Sequence, residues 1–184
     1  MQPRKIIFFY YSHWAPLGLV LLLLGFQYVA RPLLAQFRAS ATATASVAAT
    51  TTWNGLQIEV LQVNRAGWPL LQAFNQFNDP PLPGRQMMLI YLKLTNVAGP
   101  PGEYVPVTAT DFQVIGSLNI PYSTYAEESH CGVVPDDLEG VLPRQGWMSG
   151  NICVQVPQDE RKFKLIYEPS GGEYPALYFE LPEE

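Results

Sequence analysis

The sequence predicts an all-β fold for most of the chain, on three observations. The 17 prolines and 14 glycines divide the chain into many short apolar runs, as turns divide a sheet into strands. Several of these runs alternate apolar and polar residues, which is the period of a half-buried strand. Beyond residue 52 no run shows the spacing of an amphipathic helix.

The N-terminal region departs from this pattern. Residues 6–30 contain no Lys, Arg, Asp or Glu. A helix of this length, at about 1.5 Å per residue, can cross a hydrocarbon core of about 30 Å. Aromatic residues cluster near both ends of the run, as they do at the two interfaces of a membrane helix. We therefore expect a transmembrane helix over residues 6–30, preceded by a tail at residues 1–5.

A cleaved signal peptide is the alternative interpretation of this segment. Arg4 and Lys5 would form its basic region, but the first good small-residue cleavage site, at residues 39–41, lies well past the apolar run. This spacing favours an uncleaved signal anchor. Flanking charges barely distinguish the two orientations, but both cysteines lie in the predicted domain, which favours an oxidising compartment there. We expect a single-pass cell-membrane protein with a cytoplasmic N-terminus and an extracytoplasmic C-terminal domain.

His13 lies inside the apolar run. Ionisable groups within a span are costly and often functional, so His13 is a candidate ligand for a metal or a tetrapyrrole, or a hydrogen-bonding partner for another helix. The alternative is an interfacial histidine beside Ser12 and Trp14. The chain has no phosphate-binding loop, dinucleotide fingerprint or CxxC motif, and we expect no cofactor.

Residues 31–52 predict a linker. Its second part, residues 39–52, consists of Ala, Thr, Ser and one Val, without a charge. Such a composition buries little apolar surface and is typical of a flexible tether.

The charge of the chain is uneven. The first 40 residues hold four basic residues and no acidic one, whereas the rest holds seven basic and 16 acidic residues, a net charge of −9. An acidic domain disfavours nucleic acid and anionic lipid as partners.

Residues 53–184 predict one domain with seven or eight short strands. The strongest run is 85–96, in which Met88, Ile90, Leu92 and Leu94 share one face that we expect to pack in the core. Other strands are predicted at 56–63, 105–107, 111–116, 119–123, 147–157, 162–168 and 177–181, with long loops at 75–84 and 126–143. This succession predicts an immunoglobulin-like β-sandwich.

The domain resembles the bacterial telokin-like, immunoglobulin-like domains of unknown function. The resemblance covers nearly all of residues 53–184 and rests on ordered segments: IEV at 58–60, FN at 77–78 with PGRQ at 83–86, LIYLKLTN at 89–96, DFQV at 111–114, CG at 131–132 with VP at 134–135, Gly146 with SGNICV at 149–154 and VP at 156–157, and LIY at 165–167. It implies an exported module behind a lipoprotein signal or a single span, without a catalytic residue. Because no cysteine follows the apolar segment directly, we do not expect lipidation.

The resemblance also implies a disulfide between Cys131 and Cys153. This bond would join the long loop to a strand, and in the chain-entropy model it would contribute about 3 kcal/mol to stability. A reactive pair of His130 with Cys131 is the disfavoured alternative.

Catalytic and metal chemistry find little support in the sequence. The acidic loop offers Asp136, Asp137 and Glu139 as weak candidate ligands for Ca²⁺, but their spacing is not that of an EF-hand, and a solvated acidic loop is favoured. With His13 in the apolar run and His130 in a loop, a nucleophile with a neighbouring base is not indicated. We expect no enzyme activity and no resident metal.

Loop aromatics are the most informative candidates for binding. Trp68, Phe74 and Phe77 lie in or beside an apolar segment, and exposed aromatics are favoured anchors of interfaces. We expect an interaction module: an accessory subunit whose helix and domain contact the lipid bilayer and other membrane-protein subunits. The alternative function is a free-standing ligand-binding or sensing module, for Ca²⁺ or an envelope polymer.

Overall fold

A computed structural model describes residues 50–99, 101–169 and 175–183. The predicted span at residues 6–30 and His13 lie outside these ranges. Within them, no helix is long and apolar enough to cross a membrane. The elements, in chain order, are β1 (Thr50–Thr51), β2 (Leu56–Asn64), α1 (Trp68–Phe74), β3 (Arg85–Asn96), β4 (Tyr104–Thr108), a 3-10 turn (Ala109–Asp111), β5 (Phe112–Ile115), β6 (Pro121–Ser123), β7 (Glu139–Pro143), β8 (Trp147–Pro157), β9 (Lys164–Tyr167) and β10 (Leu177–Glu180).

The strands form two four-stranded sheets and one two-stranded ribbon. The first sheet has the order β1-β2-β3-β8, the second has the order β10-β9-β5-β6, and β4 pairs with β7. Every pair of named strands is antiparallel. The all-β prediction is confirmed for the described residues.

The core lies between the two four-stranded sheets. The predicted core face of β3, which consists of Met88, Ile90, Leu92 and Leu94, is fully buried. It belongs to one cluster with residues of the second sheet such as Phe112, Leu165 and Tyr167. Full burial of such a side chain is worth about 1.5–3 kcal/mol, so β3 contributes much of the apolar burial that holds the sheets together.

The first half of β3 is buried on its opposite face as well. Met87 and Leu89 point away from the main core, into a second cluster with Leu71 of α1 and the two cysteines. A strand that is buried on both faces has a continuous run of apolar residues, rather than alternating apolar and polar residues. This explains the uninterrupted sequence MMLI at positions 87–90.

Three local features differ from the sequence prediction. Residues 68–74 form a helix, α1, although no helix was expected; seven residues are too few to display a helical period, and Pro69 sits in the first turn, where its missing N–H costs nothing. Glu139–Pro143 forms β7 within the predicted long loop, because it pairs with β4. Thr50 and Thr51 fall within the predicted linker but pair with β2 as β1.

Candidate functional site

An exposed apolar surface lies on α1 and the segments next to it. Leu70 and Phe74 are one helical turn apart and therefore share a face of α1, and both are more than half exposed. Phe77 follows the helix and is 84% exposed, and Val133 from the long loop is also exposed. We call these four residues the α1 surface. Large apolar side chains grouped at the surface in this way are typical of interaction sites.

A buried amide, Asn78, holds the segments of the α1 surface together. Its Nδ2 donates to the backbone oxygens of Leu71 (3.1 Å) and Val133 (2.8 Å), and its Oδ1 accepts from the backbone N–H of Val133 at 2.8 Å. Gly132 approaches so closely that a Cβ there would lie 2.6 Å from Asn78 Oδ1, and its φ is +80°. These contacts hold the backbone next to Phe77 to the long loop.

The Cys131–Cys153 disulfide fixes the same loop to β8. Both cysteines are buried and their Cα atoms are 5.9 Å apart, so this prediction is confirmed. Gln155 adds two bonds nearby, because its backbone N–H donates to Ser129 and its side-chain amide donates to the backbone oxygen of His130. The α1 surface therefore rests on a cross-linked support rather than on a free loop.

The composition of this region contrasts with the acidic domain around it. No charged residue occurs between Ala66 and Asn78. The three predicted partner-binding residues differ in their exposure to solvent. Phe74 and Phe77 are exposed, whereas Trp68 is half-buried and packs on the second cluster, through which α1 contacts β3. Trp68 thus supports the α1 surface, while Phe74 and Phe77 form it.

A groove of about 500 Å³ is lined in part by the two disulfide-bonded cysteines. It runs between the 3-10 turn and the long loop, and its lining includes Thr108, Thr110, Tyr125, Glu127, His130 and Asp137. Partial burial raises the pKa of the Asp137 carboxyl, although the backbone N–H of Leu138 opposes the shift. Asp137 is the one predicted metal candidate in this lining; Asp136 and Glu139 are not part of it. Within the described residues, no group of three or more His, Cys, Asp or Glu is arranged to hold a metal ion.

The structure removes the alternative of a reactive cysteine. Cys131 is bonded to Cys153, and no free cysteine remains. The imidazole of His130 lies with Nδ1 at 3.1 Å from the backbone oxygen of Thr124. His130 therefore has no thiol nucleophile to activate.

A buried polar pair, Tyr122 and Glu160, was not singled out by the sequence. The Tyr122 hydroxyl donates to Glu160 Oε2 at 2.7 Å, and the backbone N–H of Leu118 donates to Oε1 at 2.9 Å. Burial and this bond raise the pKa of Tyr122 to about 12. No local signal could reveal the pair, because its members are 38 positions apart and meet only when β6 and the β8–β9 connection come together.

Comparisons with known proteins give little further guidance. No protein-family model and no curated protein matches the chain. Among solved structures, the chain is similar to the crystal structure of the yjhA protein from Bacillus subtilis, with a TM-score of 0.45 and 13% sequence identity. The similarity covers 73% of this chain and 96% of that one. At this level it carries no argument about fold family or function.

Proposed function

We propose that this protein is a membrane-anchored, extracytoplasmic interaction module without enzyme activity, which serves as an accessory subunit of a larger membrane complex. Its docking site is the α1 surface. The observation that carries the proposal is the exposure of Leu70, Phe74 and Phe77 on a support that Asn78 and the disulfide hold in place.

Physical reasoning favours a protein partner for the α1 surface. Leaving a phenylalanine such as Phe77 in water forgoes most of the about 1.5–3 kcal/mol that its burial would provide. The same residue becomes an anchor when a partner covers it, because aromatic side chains dominate the energetics of interfaces. A rigid support also lowers the entropic cost of docking, since fewer torsions are fixed on binding.

The proposed location rests on other features of the chain. The uncharged run at residues 6–30 has the length of a membrane span, and a disulfide is typical of an oxidising, extracytoplasmic compartment. Two antiparallel sheets around one core are compatible with the immunoglobulin-like, telokin-like domains that the sequence resembles. We propose membership of that group on this basis.

Site-specific photo-crosslinking tests the docking site directly. A photoreactive phenylalanine analogue at position 77 in the full chain, irradiated in native membranes, should give a discrete higher-mass adduct with a membrane protein. The matched control is the same analogue at Tyr178, which is 61% exposed on the second sheet. Adducts of equal yield at both positions, or none at position 77, would contradict the assignment of the α1 surface.

A further inference from the structure

The outer face of the first sheet is a second surface beside the α1 surface, and the cavity between them shares Leu70 with the α1 surface. Strand register places two polar rows across it, Gln62–Tyr91–Asn151 and Glu59–Lys93–Ser149, with Trp147 next to them along β8. Their side chains point away from the core, because the neighbouring residues Ile90, Leu92 and Ile152 are fully buried in it. We call this surface the outer face.

Two aromatic rings lie along the outer face. Trp147 is 65% exposed, and the Lys93 ammonium lies 5.8 Å from its ring centroid. Tyr91 is half-buried, and its hydroxyl is 2.8 Å from the Ser149 hydroxyl. Because Tyr91 is opposite Asn151, four residues along β8 from Trp147, the backbone positions that carry the two rings are about 13 Å apart along the strand at its usual rise. Such a spacing suits an extended chain rather than a single small molecule.

A cavity of about 250 Å³ continues the outer face toward α1. Leu89 and Tyr91 line it from β3, and Leu70 and Pro135 line it from α1 and the long loop. The remaining lining residues are the amides Gln62, Asn64 and Asn151. The surface therefore combines aromatic and apolar carbon with groups that can both donate and accept hydrogen bonds.

The charge of the outer face is balanced, in contrast to the domain as a whole. Glu59 and Lys93 are directly opposite in register and have opposite signs, whereas the other residues of the two rows carry no charge. An acidic domain repels a polyanion, and a balanced face offers no net attraction to one. The complementary ligand is uncharged and rich in hydroxyl groups, and it has carbon faces that stack on rings.

We infer that the outer face binds a neutral polysaccharide chain. Sugar hydroxyls would pair with the Gln62 amide and with the amide oxygen of Asn151, whose Nδ2 donates to the backbone oxygen of Pro135. The C–H faces of sugar rings would stack on Trp147 and Tyr91. A protein partner fits this face less well, because the core of a protein interface is depleted in charged residues, and here Glu59 and Lys93 lie in the row between Tyr91 and Trp147. Binding to the outer face does not depend on the proposed function. Only the compartment in which the protein would encounter the polysaccharide depends on the proposed location.

Affinity electrophoresis of the full chain tests this inference. The protein is solubilised in lauryldimethylamine oxide, because a maltoside detergent would itself present sugar. Native gels then contain hydroxyethylcellulose or dextran as neutral polymers, or polygalacturonate as an anionic one. We expect at least one neutral polymer to retard the protein, and Trp147→Ala to weaken this affinity about tenfold or more, as loss of an exposed aromatic anchor does.

The matched control is Tyr178→Ala, which removes an exposed aromatic from the other sheet and should leave the retardation unchanged. Cooperative melting of both variants near the wild-type temperature would show that both are folded. Retardation by neither neutral polymer, retardation by polygalacturonate alone, or equal retardation of the wild type and Trp147→Ala would overturn the inference. None of these outcomes bears on photo-crosslinking at Phe77, so the two proposals fail separately.

Discussion

At the scale of single residues, Glu160 shows how one buried side chain can organise a connection. Its carboxylate accepts from the Tyr122 hydroxyl and from the backbone of Leu118, and its own backbone oxygen accepts from the Arg65 guanidinium at 2.7 Å. A Cβ at Gly116 would collide with Glu160 Oε1 at 2.3 Å. Glu160 therefore ties the β5–β6 turn to the β8–β9 connection.

Glu160→Gln should lower the free energy of unfolding by about 1–3 kcal/mol. The substitution keeps the size of the side chain, but one of the two donors loses its acceptor, and an unsatisfied buried polar group costs about that much. Thermal and urea unfolding of the full chain in detergent would measure the change. Glu180→Gln is the control, because the Lys164–Glu180 pair is exposed at its Glu180 end and such pairs contribute little; equal losses in both variants would contradict the account.

The raised pKa of Tyr122 predicts that the stability of the fold depends on pH in the alkaline range. Burial, reinforced by the bond to Glu160, raises the pKa of Tyr122 from 10.0 to about 12. The folded state thus holds the phenol proton more tightly than the unfolded chain does, so this stabilisation is complete below about pH 10 and is lost as the pH rises toward 12. Between these pH values the wild type should lose stability more steeply than Tyr122→Phe, as measured by urea unfolding. Parallel pH profiles of the two proteins would show that Tyr122 titrates normally.

At the scale of elements, the two longest strands were predicted with their exact bounds, and the short strands β4, β5, β6, β9 and β10 were predicted to within two residues. The predicted runs 85–96 and 147–157 coincide with β3 and β8, because twelve and eleven residues display a clear period. α1 and β7 were missed, since each is defined by its packing or pairing partner rather than by its own sequence. Asn78 looks like a loop residue in sequence, and its burial depends on Val133, 55 positions away.

Asn78→Ala should destabilise the support of the α1 surface. It leaves the backbone N–H and C=O of Val133 without their partner, at a cost of about 1–3 kcal/mol, and the oxygen of Leu71 keeps only the N–H of Asn75. Hydrogen exchange of the amides in residues 70–77 should accelerate more than exchange in β9. Asn119→Gly is the control, because Asn119 is exposed in a turn and its φ of 60° suits glycine. Unchanged protection of residues 70–77 would mean that Asn78 does not hold this segment.

The disulfide also supports the α1 surface, because it joins the long loop to β8. Replacing both Cys131 and Cys153 by Ser opens a loop closed over a separation of 22 residues, for which the chain-entropy model gives about 3 kcal/mol. We expect the melting temperature of the domain to fall by several degrees. A reductant should reproduce this fall in the wild type and have no effect on the double variant. An unchanged melting curve in the double variant would remove the disulfide from the account of stability.

At the scale of the whole molecule, the sequence indicated the fold class, the core face of β3 and two of the residues that form the α1 surface. It could not reveal the outer face, because that surface depends on the register of three strands that are distant in sequence. The same limit applies to Val133, which joins Phe77 only through Asn78. Local patterns determine strands, whereas sites arise where strands and loops converge.

The most direct test of the central claim is gentle detergent extraction of the native membrane, followed by native-gel separation and mass spectrometry of the band that holds this protein. Our account predicts migration in an assembly much larger than the chain itself, with an intact Met1 peptide. The double variant Phe74→Ser, Phe77→Ser should leave that assembly while remaining in the membrane. Migration of the wild type near its own mass plus detergent, or its recovery in the soluble fraction without the N-terminal peptide, would contradict the account.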